Sequence, residues 1–161
     1  MNDSRIEYYV RRFRSSVYNA ALCACRDPFD ADDAAQDVFF RLCDYDGDFN
    51  DDEHAKAWLI RCAVNRGHDI VRSKRRRPTV PLEEAAGAVQ PDAPDSLLPT
   101  VMKLERTNRL ILYLYYFEEY RIEEISGITE LSVSAVRSRL ARARKQLKKL
   151  VMEEYGETLT E

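Results

Sequence analysis

An all-α fold built from two small helical domains is what the sequence predicts, and three observations predict it. Apolar residues recur at steps of three and four through most of the chain. No stretch sustains the period-two alternation of a strand. Five of the six prolines, Pro78, Pro81, Pro91, Pro94 and Pro99, fall within residues 78–99. Proline lacks a backbone donor and restricts the residue before it, so this segment suits neither a helix nor a central strand. Residues 1–77 and 101–161 are therefore expected to form separate domains joined by a linker over 78–100.

The elements follow in order. Ile6, Tyr9, Val10, Phe13, Val17 and Ala21 share one face and predict a helix over about 4–25, ended by Asp27-Pro28. Asp30 is the expected N-cap of a second helix over about 31–43, which would bury Ala35, Val38, Phe39 and Leu42. An acidic loop, DYDGDFNDDE, occupies 44–53. A third helix, about 53–76, would bury Ala55, Trp58, Leu59, Cys62, Ala63 and Ile70. Beyond the linker, Leu104, Ile111, Leu112, Leu114 and Tyr115 predict a helix over about 101–118. A short helix at Ile122–Gly127, a turn, and a long helix from Ser132 to about Glu154 then read as a helix-turn-helix.

Composition narrows the function classes. The chain has 161 residues, 45% of them apolar, enough for packed cores in one domain or two small ones. Its longest uncharged stretch, Ser15–Cys25, is about half of the roughly 20 apolar residues a spanning helix needs. The segment MNDSRIEYYVRRF carries charges where a signal peptide would need an apolar core, so a cytoplasmic protein is expected. Cys23, Cys25, Cys43 and Cys62 lack the spacing of zinc ribbons. A metal site built from the Cys-x-Cys pair with His54 and His68 is outweighed by a reading as buried, reduced thiols, because three of the four cysteines sit on apolar helical stripes. Neither metal nor cofactor is expected. Glycine-rich phosphate loops and nucleophile elbows are absent from the sequence, so we expect no catalytic residue and no enzyme.

The net charge of −3 conceals an asymmetry, because Ser132–Leu150 holds seven basic groups and no acid. On that helix Val133, Val136, Leu140, Ala143, Leu147 and Leu150 form the apolar stripe, and Ser132 can cap it. Ser134, Ala135, Arg137, Ser138, Ala141 and Arg142 lie opposite, where small side chains permit approach to a major groove. Arg139, Arg144, Lys145, Lys148 and Lys149 extend the positive surface. A solvated basic helix is the alternative; the absence of any acid at four-residue spacing favours DNA. A second candidate face is Arg61, Asn65, His68 and Arg72 on the third helix, followed by further basic residues to Arg77. Those residue types read base edges and stack on unpaired bases, against the alternative of a solubilising face with a basic cap. Asp33, Gln36, Asp37, Phe40 and Arg41 face outward on the second helix, and an exposed Phe40 would mark a protein contact unless it is buried against a neighbour.

These residues resemble a known family. Asp30–Leu42 (DADDAAQDVFFRL) is similar to the core-polymerase-binding helix of bacterial RNA polymerase sigma factors. Ala57–Asn65 (AWLIRCAVN), with Asp69 and Arg72, resembles that family's −10 recognition helix. Tyr116-Phe-Glu, Ile122–Ile125 and Val136–Arg144 resemble its −35-binding domain, and the two-domain length matches the extracytoplasmic-function (ECF) type. The resemblance implies that Asp33, Gln36, Asp37, Phe40 and Arg41 dock on the clamp coiled coil of core RNA polymerase. It implies that Arg61, Asn65, His68 and Arg72 meet a melting −10 element. Ser132, Ser134, Ala135, Arg137, Ser138, Arg139 and Arg142 would enter the −35 major groove, and the acidic linker would thread toward the polymerase channels. It also implies an anti-sigma partner and a free monomer that inserts in no membrane. The chain departs from the family pattern at Leu104-Glu105, where Leu-Pro is frequent, and at Glu119 and Glu130, where glycine is usual. Its 44–53 loop is also unusually acidic. A conventional helix-turn-helix regulator and a protein-interaction adaptor with a basic helix are the rival readings.

Overall fold

The computed structural model describes residues 1–76 and 97–159, with side chains to residue 156, and every regular element among them is helical. The chain divides into two compact units, Met1–Asp92 and Ala93–Glu161. Most of the expected linker, residues 77–96, lies outside the described residues.

The first unit is a three-helix bundle. Helix α1 (Asp3–Cys25) starts where the Asn2 side chain accepts the Arg5 N–H at 2.9 Å. It stops at Arg26, whose left-handed backbone (φ 65°) lets its N–H donate to the Leu22 carbonyl. Its buried face runs Tyr9, Phe13, Val17, Ala20, Ala21 and Ala24. Helices α2 (Pro28–Cys43) and α3 (Asp52–Arg76) pack on that face. Full burial of Leu22, Leu42, Leu59 and Ile60 contributes about 1.5–3 kcal/mol each. The α1–α3 crossing is very close, because a Cβ at Gly67 would stand 2.7 Å from Ala24 Cβ and 3.1 Å from the Ala21 carbonyl.

Two expectations in this unit need correction. Asp27-Pro28 starts α2 as well as following α1: Asp27 is the N-cap, accepting the Phe29 N–H at 2.8 Å, and Pro28 takes the first turn. Proline's fixed φ is already helical, and its missing N–H would be unpaired there anyway. Asp30, expected as the cap, lies within the first turn and pairs with Lys74 at 2.5 Å. Phe39, Trp58 and Ile70, expected in the core, are only half-buried.

The acidic 44–53 segment is anchored by an aromatic cluster. Phe49 is buried, stacked on Tyr45 at 5.0 Å, with Tyr9 and Trp58 each at 5.7 Å. Its carboxylates are tied to α1. Arg5 pairs with Asp48 at 2.5 Å, the Tyr8 hydroxyl donates to Asp52 at 2.5 Å, and Arg12 lies 3.4 Å from Asp52. The hydrogen bond from Arg5 holds the Asp48 carboxyl below its ordinary pKa.

The second unit contains α4 (Leu98–Val101), α5 (Arg106–Leu112), a π-helical turn (Tyr113–Phe117), α6 (Ile122–Thr129) and α7 (Val133–Leu159). The single helix expected over 101–118 is therefore broken. The chain turns at Lys103–Leu104, the buried Arg109 donates to the Leu104 carbonyl at 3.1 Å, and the Glu105 carboxylate caps α5 through the Thr107 and Asn108 N–H groups. Leu98, Pro99 and Thr100, read from sequence as the end of the linker, already belong to α4, which tolerates Pro99 in its first turn. α6 runs two residues further than expected, to Thr129, and α7 packs against α4, α5 and α6.

Candidate nucleic-acid and protein interfaces

The helix-turn-helix is built by local hydrogen bonds. Helix α6 begins with the Glu124 carboxylate accepting the Arg121 N–H at 3.0 Å and ends at Glu130, left-handed at φ 62°. The Ser126 hydroxyl donates to the Leu131 carbonyl, and Thr129 donates to the Ile125 carbonyl, which fixes the turn. Ser132 caps α7 as expected, accepting the Ala135 N–H at 3.1 Å. Val136, Leu140 and Ala143 are buried, while Val133, Leu147 and Leu150 are half-buried. The opposite face presents Ser134, Arg137, Ser138, Ala141 and Arg142 to solvent, with Ala135 partly covered.

The cations of α7 are not equivalent. Arg137, Arg142, Lys145, Lys148 and Lys149 make no ion pair among the described residues. Arg139 is half-buried and lies 3.6 Å from the Glu105 carboxylate, so it is partly spent on the fold. Arg144 donates to the Tyr116 hydroxyl at 2.7 Å and sits over the Tyr115 and Tyr116 rings, at 5.1 and 5.6 Å. The Tyr116 bond raises the Arg144 pKa further above its ordinary value. Residue spacing carries no cue to this clamp, because it depends on the π-helical turn that places adjacent tyrosines beside α7.

On α3, Arg61, Asn65 and Arg72 are exposed and His68 is half-buried, so the four lie along one accessible side. Arg72 pairs with Asp69 one turn away. Arg66, between the candidate positions, crosses to α2 and donates to Asp37 at 2.6 Å. Lys74 bridges Asp27 (3.4 Å) and Asp30 (2.5 Å). Desolvation lowers the Lys74 pKa, but the hydrogen bonds and charges of Asp30 and Asp27 together outweigh it and leave the ammonium above its ordinary value.

On α2, Asp33, Gln36, Phe40 and Arg41 are exposed, and Phe40 is 68% so. The alternative of a buried Phe40 is thereby excluded. Asp37 is half-buried and engaged by Arg66, which fixes α2 against α3 rather than leaving that carboxylate to a partner. Sequence reasoning missed Phe29, 76% exposed at the start of the same helix. The signal was the Asp27-Pro28 cap, which places Phe29 inside α2 instead of in a connecting loop. Of the cysteines, Cys23 and Cys62 are buried, Cys25 is half-buried, and Cys43 is exposed. Burial raises the Cys62 thiol pKa.

Comparison with known proteins finds one family model in each unit. The family model described as Sigma-70 region 2 matches residues 9–77, and that described as Sigma-70, region 4 matches residues 96–147. The chain is 29% identical over 145 residues to the ECF RNA polymerase sigma factor SigM of Mycobacterium tuberculosis, covering 88% of this chain and 74% of that protein. It is 28% identical over 155 residues to the Bacillus subtilis factor of the same name, covering 90% and 94%. Among solved structures, the sigma factor RpoE of Bartonella quintana, in complex with the anti-sigma factor NepR, shares the fold. Its TM-score is 0.70 at 18% identity, covering 90% of this chain and 95% of that one. No helix among the described residues is long and apolar enough to cross a membrane.

Proposed function

The chain belongs to the sigma-70 family of RNA polymerase sigma factors, as one of the ECF type, and from that premise we propose which of its surfaces meet polymerase and which meet promoter DNA. It is a promoter-specific transcription initiation factor whose partners are core RNA polymerase and promoter DNA. Residues 1–77 act as the region that binds core polymerase and the −10 element, residues 78–100 connect, and residues 101–161 bind the −35 element. One observation carries this reading: the two region models match in family order, on two units that each present an exposed basic or polar helix face.

In this reading Asp33, Gln36, Phe40 and Arg41 touch polymerase, and Asp37 orients α2 through Arg66. Arg61, Asn65, His68 and Arg72 approach the melted −10 strand. Ser134, Ala135, Arg137, Ser138 and Arg142 enter the −35 major groove, Ser132 positions the helix by capping it, and Arg139 contributes charge at the rim. The polymerase supplies the chemistry and this chain contributes no catalytic group. Two modest DNA faces suffice because polymerase holds both units near one promoter, which raises the effective concentration at the second site without a new contact. An anti-sigma protein that covers these faces is the expected regulator, and the free chain is a monomer acting in the cytoplasm.

Purified chain added to sigma-free core polymerase and a genomic promoter library should give initiation at a defined set of start sites. No initiation above core polymerase alone would overturn the reading. Duplex binding without polymerase, at palindromic half-sites, would favour a conventional regulator.

A further inference from the structure

The two most exposed large apolar side chains among the described residues are Phe29, 76% accessible, and Phe40, 68%. Lone exposed aromatics are common on protein surfaces. Here both lie on α2, eleven residues apart, which brings them to nearly the same angular position on the helix and about 16 Å apart along its axis. Asp33 and Gln36 fall between them, so the stripe runs Phe29, Asp33, Gln36, Phe40 at steps of four, three and four. Those steps are the seam spacing of a coiled coil, and they suit a partner helix lying along α2 at a shallow angle.

Charge defines the middle of that partner. Asp32 and Asp33 are both exposed between the aromatic ends. A helix that matches the stripe is therefore apolar at its two ends and basic between them.

Phe29 is also held in place before anything binds. Its N–H donates to the Asp27 carboxylate at 2.8 Å, and Pro28 restricts the preceding backbone. The other Asp27 oxygen and Asp30 both accept from Lys74 of α3, which fixes this turn of α2 to the bundle. An aromatic group on a rigid turn loses little entropy on docking, which is the character of an interface anchor.

We infer that α2 carries a two-anchor seam, with Phe29 as a second anchor that extends the polymerase-docking surface by about one turn toward the helix N-terminus. The occupant is a helix of core polymerase with two apolar positions about eleven residues apart and basic residues between. This rests on the assignment of α2 to polymerase binding made above.

The test measures the affinity of the fluorescently labelled full chain for core polymerase, for the wild type and for Phe29→Ala, Phe40→Ala and Phe29→Leu. Thermal melting serves as a folding control, and the exposure of Phe29 means Phe29→Ala should melt with the wild type. Each alanine variant should bind about tenfold or more weakly, and Phe29→Leu should recover most of the loss. Loss with Phe40→Ala but none with Phe29→Ala overturns the second anchor and leaves the assignment of α2 standing. No loss with either variant overturns that assignment itself. Sedimentation read in parallel covers the remaining occupant: self-association of the wild type that Phe29→Ala abolishes, with polymerase affinity unchanged, would make the partner a second copy and overturn the proposal.

Discussion

Helices α3 and α7 are both rich in cations, but they are wired differently. On α3, Arg66 crosses to Asp37, Arg72 pairs with Asp69, and Lys74 bridges Asp27 and Asp30. On α7, Arg137, Arg142, Lys145, Lys148 and Lys149 have no ion pair among the described residues, and only Arg139 and Arg144 are engaged by the rest of their unit. A cation that already has a carboxylate must give it up before it can hold a phosphate. An unpaired one displaces only condensed counterions from the DNA. Counting basic residues would therefore overstate the electrostatic grip of α3. Arg66 and Lys74 fasten α2 and α3 together, while Arg75 and Arg76 near the end of α3 are exposed and make no ion pair among the described residues. The larger share of the salt dependence of DNA binding should come from α7, which has five such cations to the two of α3.

The sharpest way to break this comparison is to damage the scaffold of one helix alone. Gly67→Ala places a methyl 2.7 Å from Ala24 Cβ and close to the Ala21 carbonyl, at a backbone crossing that cannot yield cheaply. The first unit should lose about 1–3 kcal/mol, seen as a lower melting transition, while binding of the full chain to −35 duplex persists. Unchanged melting would mean that α1 and α3 are looser than the packing indicates.

Arg137→Ala probes the unpaired helix directly. If Arg137 reads a base, −35 recognition weakens by about 1–3 kcal/mol and discrimination at one position relaxes. An equal loss on every sequence, with a shallower salt slope, would make it a phosphate contact. The corresponding change on α3, Arg72→Ala, should alter the salt slope less, because Arg72 is already partnered by Asp69.

Asp27→Ala comes next. It removes the α2 cap, with its bonds from the Phe29 and Asp30 N–H groups, and the Asp27 contact to Lys74, while Lys74 keeps Asp30. The first unit should be destabilised by about 1 kcal/mol, within the usual range for a lost cap. Asp30→Ala should cost less, since Asp30 is not the cap. The reverse order would restore the sequence-based assignment of Asp30.

How far the sequence disclosed all this depended on whether a feature was periodic. The three helices of the first unit and the apolar stripe of α7 follow from residue spacing, because burial of one face imposes that spacing. The outward set on α2 and the exposed face of α7 follow from the same geometry. The break at 102–105 was invisible because Val101, Met102 and Leu104 keep the core supplied with apolar groups, and a glutamate is an unusual cap. The pairing of Asp37 with Arg66 and of Arg139 with Glu105 depends on which helices become neighbours, which spacing within one helix does not specify. Phe29 escapes sequence reasoning for a simpler reason: Asp27-Pro28 both follows α1 and starts α2, and residue spacing marks only the first of these.

The smallest effect concerns the turn that presents α7. Glycine is usual in that turn across the family, and Glu130 stands there with φ 62° and ψ 21°. A side chain in this left-handed region costs about 1 kcal/mol through contact of Cβ with the backbone. Glycine avoids that contact but gives the unfolded chain more freedom, which offsets part of the gain. Glu130→Gly should therefore stabilise the second unit by a few tenths to about 1 kcal/mol. It also removes a negative charge two residues before Ser132, near the start of the helix proposed to meet DNA. If α7 binds DNA, the same variant should tighten duplex binding at low salt, with the gain fading as salt rises. A stability gain without a binding gain would place Glu130 away from the phosphates. The same substitution at Glu119, also left-handed at φ 59°, is the control for stability alone.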